Sequence, residues 1–136
     1  MKVKIEPGAY PPERAHELDA GLDIRLPKGG IVRVRQSRSF RTGVHVELPN
    51  GTVGLLLPKS GLMTKYGILC FGVVDEGYSG EIVAHVFNHS VDDYQFNAGQ
   101  KVTQLVVVPV VREAVEIVDE ISSGSRGEHG FGSSGK

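Results

Sequence analysis

Glycine and proline interrupt this chain at short intervals, and the segments between them are rich in valine, isoleucine and leucine. Branched side chains suit a pleated surface, and the breaks leave little room for long helices, so the sequence predicts an all-β fold of short strands. Val44, Val46 and Leu48 alternate with His45 and Glu47, the period of two of a strand with one dry face and one wet face. Asn50-Gly51 predicts a hairpin turn into a strand over Thr52 to Leu57. Only Ser60 to Tyr66 lacks alternation, and Gly67 stands where a helix would be closed, so one short helical segment is expected there.

Ile82 to Phe87 and Leu105 to Val111 are apolar on both alternating faces, so something must cover both. Two arrangements satisfy this: strands interior to one subunit, or strands with a core on one side and a neighbouring subunit on the other. After Ile121 the composition changes abruptly to serine and glycine, which reads as a flexible arm. The 136 residues therefore divide into a β domain over 1–121 and an arm over 122–136 belonging to the same functional unit.

A formal net charge of −1, with acids and bases interspersed, gives no bulk footprint for nucleic acid or an anionic membrane, so any anion must be held locally. The single cysteine, Cys70, excludes an internal disulfide framework and leaves too little sulfur for a thiolate zinc site. Neither a secretory signal nor an apolar run of membrane-spanning length is apparent, so a cytoplasmic protein is expected, in the host-cell cytoplasm if the source is viral.

Five segments combine tight-turn glycines with groups suited to an anion or a base. They are Ala20 to Ile24, Pro58 to Met63, Gly72 to Glu81, Gly99 to Leu105, and Arg126 to Gly135. In Pro58 to Met63, glycine permits close backbone approach, a helix start offers free N–H groups, and Lys59 and Ser60 add charge and a hydroxyl. Asp75 is a carboxylate able to accept a proton from water at neutral pH, and Tyr78 offers a flat face with a polar tip. Gln104 is an amide in an apolar strand and must find a partner. Each of the first four segments also has a plainer reading: a helix cap at Ser60, a turn with a solvated acid pair and a core tyrosine at 75–78, a turn aspartate at Asp23, and a sheet hydrogen bond at Gln104.

In order and spacing the five segments resemble the motifs of the trimeric dUTPase family, and together they extend over nearly the whole chain. The resemblance implies a β-clip, jelly-roll-like barrel assembled as a homotrimer, acting on dUTP with Mg²⁺. By the same resemblance Ser60 and Gly61 contact the α and β phosphates and Gln104 a further phosphate. Lys59 stands where most of the family has arginine, exchanging a forked contact for a point charge. Asp23 lies near the metal and contacts it through water. Gly72, Val73 and Val74 belong to a hairpin whose backbone reads the uracil edge, Asp75 orients the attacking water, and Tyr78 stacks under the deoxyribose where a 2′-hydroxyl would not fit. Phe71 and Gly77 depart from the residues usual in the family at those places.

In the arm, Arg126 would clamp the terminal phosphate, Phe131 stack on the base, and Gly132, Ser133 and Ser134 supply N–H and hydroxyl groups to phosphate oxygens. From Ile121 to Phe131 an extended chain reaches at most about 33 Å, enough to cross a small domain. The expected activity is hydrolysis of dUTP to dUMP and pyrophosphate, which limits uracil in DNA and supplies dUMP for dTMP synthesis. Two rivals are a dCTP deaminase-like enzyme of the same fold and a regulator that binds deoxynucleotide without turning it over. The deaminases carry a catalytic glutamate in a Thr-Leu-Glu stretch of the next strand, where this chain has Val83-Ala84-His85.

Overall fold

The computed structural model describes residues 1–122 together with Gly124 and Gly127. Ten strands and one helix follow in the order β1 (Lys2–Ile5), β2 (Gly21–Arg25), β3 (Gly30–Val32), β4 (Ser37–Glu47), β5 (Thr52–Pro58), α1 (Ser60–Tyr66), β6 (Ile68–Cys70), β7 (Gly72–Val74), β8 (Glu81–Asn88), β9 (Tyr94–Phe96) and β10 (Lys101–Pro109). They form two four-stranded sheets, β1-β4-β8-β6 and β2-β10-β5-β7, with β3-β9 as a short third ribbon. Every pairing is antiparallel. The predicted all-β architecture with one short helix is the one found.

Two apolar clusters fill the interior. One gathers Leu26, Val32, Phe40, Leu62, Ile68, Val86, Phe96 and Val102. The other gathers Ile24, Val44, Val46, Leu48, Leu56, Val74, Ile82 and Leu105. The alternation of β4 is borne out, since Val44, Val46 and Leu48 are buried while Glu47 is exposed and His45 half-buried. Helix α1 ends as its sequence suggests: Gly67 adopts φ 61°, and its N–H bonds back to the Leu62 and Met63 carbonyls. At its start no side chain caps the helix, so Ser60 is not the cap of the plainer reading.

Asn50-Gly51 does not join a hairpin. Gly51 turns with φ 72°, but β4 and β5 enter different sheets. The turn is held from outside instead: the Gly51 N–H donates to Glu76 Oε2 at 2.8 Å, and the Gly51 carbonyl accepts from the Val110 N–H at 2.9 Å. A similar switch occurs at Phe71. β6 pairs with β8, whereas β7 pairs with β5, so the residues before Asp75 form a sheet-crossing strand and not the expected hairpin.

β8 buries Ile82, Ala84, Val86 and Asn88 and leaves Val83 and Phe87 nearly half exposed on its other face. The apolar outer face is therefore not interior to a single chain. In β10, between β2 and β5, Val106, Val107 and Val108 are only half-buried. Beyond it Val111, Val115, Ile117 and Ile121 are strongly exposed.

Candidate active site

One end of the second sheet assembles a cationic cradle around one carboxylate. Asp23 lies in β2, beside β10, which in turn borders β5, and Lys59 follows β5 directly at the start of α1. The Asp23 side chain is 3% exposed, and it pairs with Lys59 Nζ through Oδ1 and with Lys101 Nζ, at 2.6 Å, through Oδ2. Oδ2 nevertheless has no donor in hydrogen-bonding geometry. Burial alone pushes the Asp23 carboxyl up and is the largest single influence, but the close ammonium groups of Lys101 and Lys59 together outweigh it and hold the group below its ordinary range. Asp23 is thus a strand residue, antiparallel-bridged to Glu13, and not the turn aspartate of the plainer reading.

Gln104 faces Asp23 across the β2–β10 register, and its Nε2 donates to the Pro58 carbonyl at 3.1 Å. A Cβ at Gly21 would come within 2.3 Å of Gln104 Oε1, so any side chain there would displace the end of Gln104. A bulge between Lys101 and Thr103 turns both Lys101 and Gln104, three residues apart, toward Asp23. Without that extra residue the two side chains would fall on opposite faces. Lys101 was not among the residues singled out from sequence; only the bulge, which local sequence does not announce, brings it to the site. Ser60 and Gly61 are exposed in the first turn of α1, and nothing would meet a Cβ at Gly61. Lys59, Ser60, Gly61, Gln104 and Asp23 therefore lie together at one end of this sheet.

Asp75 lies elsewhere. β7 is the free edge of the same sheet, paired only with β5, so its outward backbone groups have no strand partner among the described residues. Gly72 packs close on Leu56, Val74 is buried, and Val73 projects outward, 65% exposed. After Val74 the chain turns through Asp75-Glu76-Gly77-Tyr78, with Gly77 at φ 86° and the Tyr78 N–H donating to the Asp75 carbonyl at 3.1 Å. Asp75 is exposed on the wall of a cavity of about 600 Å³ lined by Asn50, Thr52, Val53, Glu76 and Arg112. Glu76 binds Arg112 Nη2 at 2.5 Å as well as Gly51, and first Arg112, then the Gly51 N–H, holds its carboxyl low. Tyr78 is exposed, not a core residue, and its hydroxyl donates to the Glu81 carbonyl at 2.9 Å. Cys70 is buried, and burial raises its thiol, so it is a packed side chain.

Gly54 pairs with Val74, which sets Asp75 level with Val53, at the far end of β5 from Lys59. Six residue steps at ~3.3 Å separate the two along the strand, about 20 Å. One chain therefore carries two half-sites, one with the lysines and one with Asp75. Arg126, Phe131, Gly132, Ser133 and Ser134 lie outside the described residues.

The family model for dUTPase matches residues 9–135. Over 99% of this chain and 96% of its own length, the deoxyuridine 5'-triphosphate nucleotidohydrolase of Clostridium acetobutylicum is 40% identical. That of Gloeothece citriformis is 39% identical over the same shares. Among solved structures, the dUTPase of Staphylococcus bacteriophage 80alpha, determined with dUPNHPP, superposes with a TM-score of 0.92 at 30% identity, covering 99% of this chain and 98% of that one. The dUTPase of phage phi11 of S. aureus, described with a structural Mg(II) ion, gives 0.81 at 28% identity over 88% and 96%. With a match along nearly the whole chain and the fold shared throughout, this chain belongs to the dUTPase family.

Proposed function

We propose that this chain, a dUTP diphosphatase of the dUTPase family, cleaves dUTP to dUMP and pyrophosphate in sites formed between the subunits of a homotrimer, with Asp75 directing water at the α phosphorus. The observation that carries the shared site is the separation of Asp75 from Lys59 along β5. A carboxylate must come within hydrogen-bond reach of its water to act as a base. The lysines must lie on the same triphosphate. Half-sites about 20 Å apart along one strand meet both demands if one protomer supplies the phosphate cradle and another supplies the turn at Asp75.

In that arrangement Lys59, Ser60, Gly61 and Gln104 hold phosphate oxygens, and the free edge of β7 at Gly72, Val73 and Val74 offers backbone donors and acceptors to the uracil edge. Tyr78, exposed beside them, packs against the deoxyribose. The arm over 122–136 closes the site with Arg126 on the terminal phosphate, Phe131 on the base, and Gly132, Ser133 and Ser134 on phosphate oxygens. The exposed outer face of β8 and the apolar residues after β10 supply surface for contact between protomers. Phosphoryl transfer chiefly requires positioning and charge stabilisation, which a cationic cradle facing an anionic substrate provides.

No three histidine, cysteine or acidic side chains gather to hold a metal among the described residues. Both oxygens of the buried Asp23 carboxylate are ion-paired with lysines, which fits an outer contact through water to an ion that takes most of its ligands from triphosphate and water, as Mg²⁺ does. Asp23 would hold it through water. Mg²⁺ bound there would neutralise charge on the triphosphate and fix its geometry. Such an enzyme limits uracil entry into DNA and supplies dUMP, a role suited to the cytoplasm; no described helix is long and apolar enough to cross a membrane. Pyrophosphate release from dUTP with Mg²⁺, alongside the mass of the assembly by light scattering, tests the proposal. An active trimer is expected. A monomer at full activity, or a protein that binds dUTP and releases no pyrophosphate, contradicts it.

A further inference from the structure

We propose that His45 is a positioning residue for sugar discrimination: as an imidazolium it fixes the Ser79 carbonyl, hence the setting of Tyr78, and the preference for deoxyribose over ribose falls as the ring loses its proton. The inference rests on the reading of Tyr78 as the residue against the sugar.

Both ring nitrogens of His45 face acceptors. Nδ1 lies 3.0 Å from the Ser79 carbonyl, and Nε2 lies 3.2 Å from Glu6 Oε1. A neutral imidazole has one N–H, so it satisfies one acceptor and turns a lone pair on the other. Only the doubly protonated ring donates to both. The His45 side chain is 18% exposed, while its two acceptors lie nearer solvent, the Glu6 side chain 37% exposed and Ser79 on the surface. The Ser79 carbonyl first, then Glu6, raise the His45 pKa, against the opposing effects of partial burial and of Lys4.

Charged groups approach the ring from each neighbouring strand. Lys4 is its register partner on β1, and Glu81 its partner on β8. Arg41, on the same strand, binds Glu81 Oε2 at 2.6 Å and Glu6 Oε2 at 3.2 Å. An irregularity in β4 between Arg41 and His45, with Gly43 at φ 68°, lets both side chains reach this one patch. Gly43 has no room for a side chain, since a Cβ would come within 2.5 Å of Ala9 Cβ, and its N–H donates to Glu81 Oε1 at 2.7 Å.

The segment from Ser79 to Glu81 is thereby tied to β4 at both ends, by His45 and by the Gly43–Arg41–Glu81 contacts. Tyr78 depends on that segment. Its hydroxyl bonds the Glu81 carbonyl, and its ring packs over Gly80, where a Cβ would come within 2.4 Å of the hydroxyl. When the ring is neutral, the tautomer that keeps Ser79 sets a lone pair against the Glu6 carboxylate, and the tautomer that keeps Glu6 sets one against the Ser79 carbonyl. Either way the ring shifts and the carbonyl after Tyr78 loses its fixed anchor. The raised pKa gives the sign: the protonated contacts are fully present below about pH 6.5, the ordinary value, and are lost as pH rises through the higher folded value.

The test measures kcat/KM for dUTP and for UTP between about pH 6 and about pH 9 in wild type, His45→Gln and Tyr78→Ala, with the His45 ring followed by ¹⁵N NMR in the wild type. The ratio of the two substrates cancels titrations common to both. In the wild type it is expected to fall about two- to tenfold, the range of one hydrogen bond, with the midpoint of the ring titration. In His45→Gln it is expected to be low and independent of pH. A wild-type ratio that stays level while the ring titrates, or a pH-dependent ratio in His45→Gln, overturns the inference and leaves the sugar contact standing. An undiminished ratio in Tyr78→Ala overturns the sugar reading, and this inference with it.

Discussion

Asp75 and Lys59 stand at opposite ends of the same strand, β5, about 20 Å apart along it, because β7 pairs antiparallel with β5 and Lys59 follows its last residue. Each chain thus presents a general-base candidate where it has no phosphate cradle, and a cradle where it has no base.

Asp75→Asn keeps the size of the side chain and removes its basicity. Turnover of dUTP should fall about 10²- to 10⁴-fold, the usual worth of a general base, with a much smaller change in the dissociation constant for a nonhydrolysable analogue. Stopped-assay kinetics with parallel calorimetry would separate the two.

Asp23 should couple stability to acid pH. Its folded pKa is lowered by Lys101 and Lys59, so its contribution is present above the unfolded value of about 3.9 and is lost as pH falls through the folded value. Asp23→Asn should remove that acid-limb dependence and cost about 1–3 kcal/mol, less than a fully buried pair because both lysines are partly exposed and can turn to water. Urea unfolding at several pH values below neutrality checks both sign and size.

Glu76 joins the Asp75 turn to the Asn50-Gly51 turn and to Arg112, three residues beyond β10. Arg112→Ala should lower kcat/KM severalfold while leaving the melting temperature little changed, since the pair is partly exposed. High salt should erode wild-type activity toward the variant, because salt screens exposed charges.

Among the described residues, both apolar clusters are built from buried side chains between Ile24 and Leu105, so removal of residues 123–136 should leave them complete. The truncated protein should keep its melting temperature and its trimeric mass while losing at least about 10²-fold in turnover, the loss expected when positioning of the phosphates fails. Differential scanning calorimetry, light scattering and pyrophosphate release on one preparation decide this.

Much of the fold was legible because local chemistry determined it. Gly67 had to end α1, and the period of two in Val44 to Leu48 had to bury one face. What was misread depends on distant partners. Asn50-Gly51 carries a hairpin signal, yet Glu76 and Val110 hold that turn at a crossing between sheets. Phe71 ends one pairing and begins another, which apolar periodicity does not reveal. At the site, Lys59, Ser60, Gly61, Asp23 and Gln104 do come together, but Lys101 joins them only through a bulge in β10. His45 looked like the wet face of an amphipathic strand; its two acceptors come from positions 6 and 79.

Subunit mixing tests the central claim most directly. Asp75→Asn and Lys59→Ala proteins, each nearly inactive alone, are combined in equal amounts, allowed to exchange protomers, and assayed for pyrophosphate release from dUTP. If each site draws its base and its cradle from different chains, about a quarter of the sites in randomly mixed trimers regain both intact halves, and activity should recover to about that fraction of wild type. A mixture that exchanges protomers yet remains as inactive as its components would place base and cradle in one chain and contradict the account.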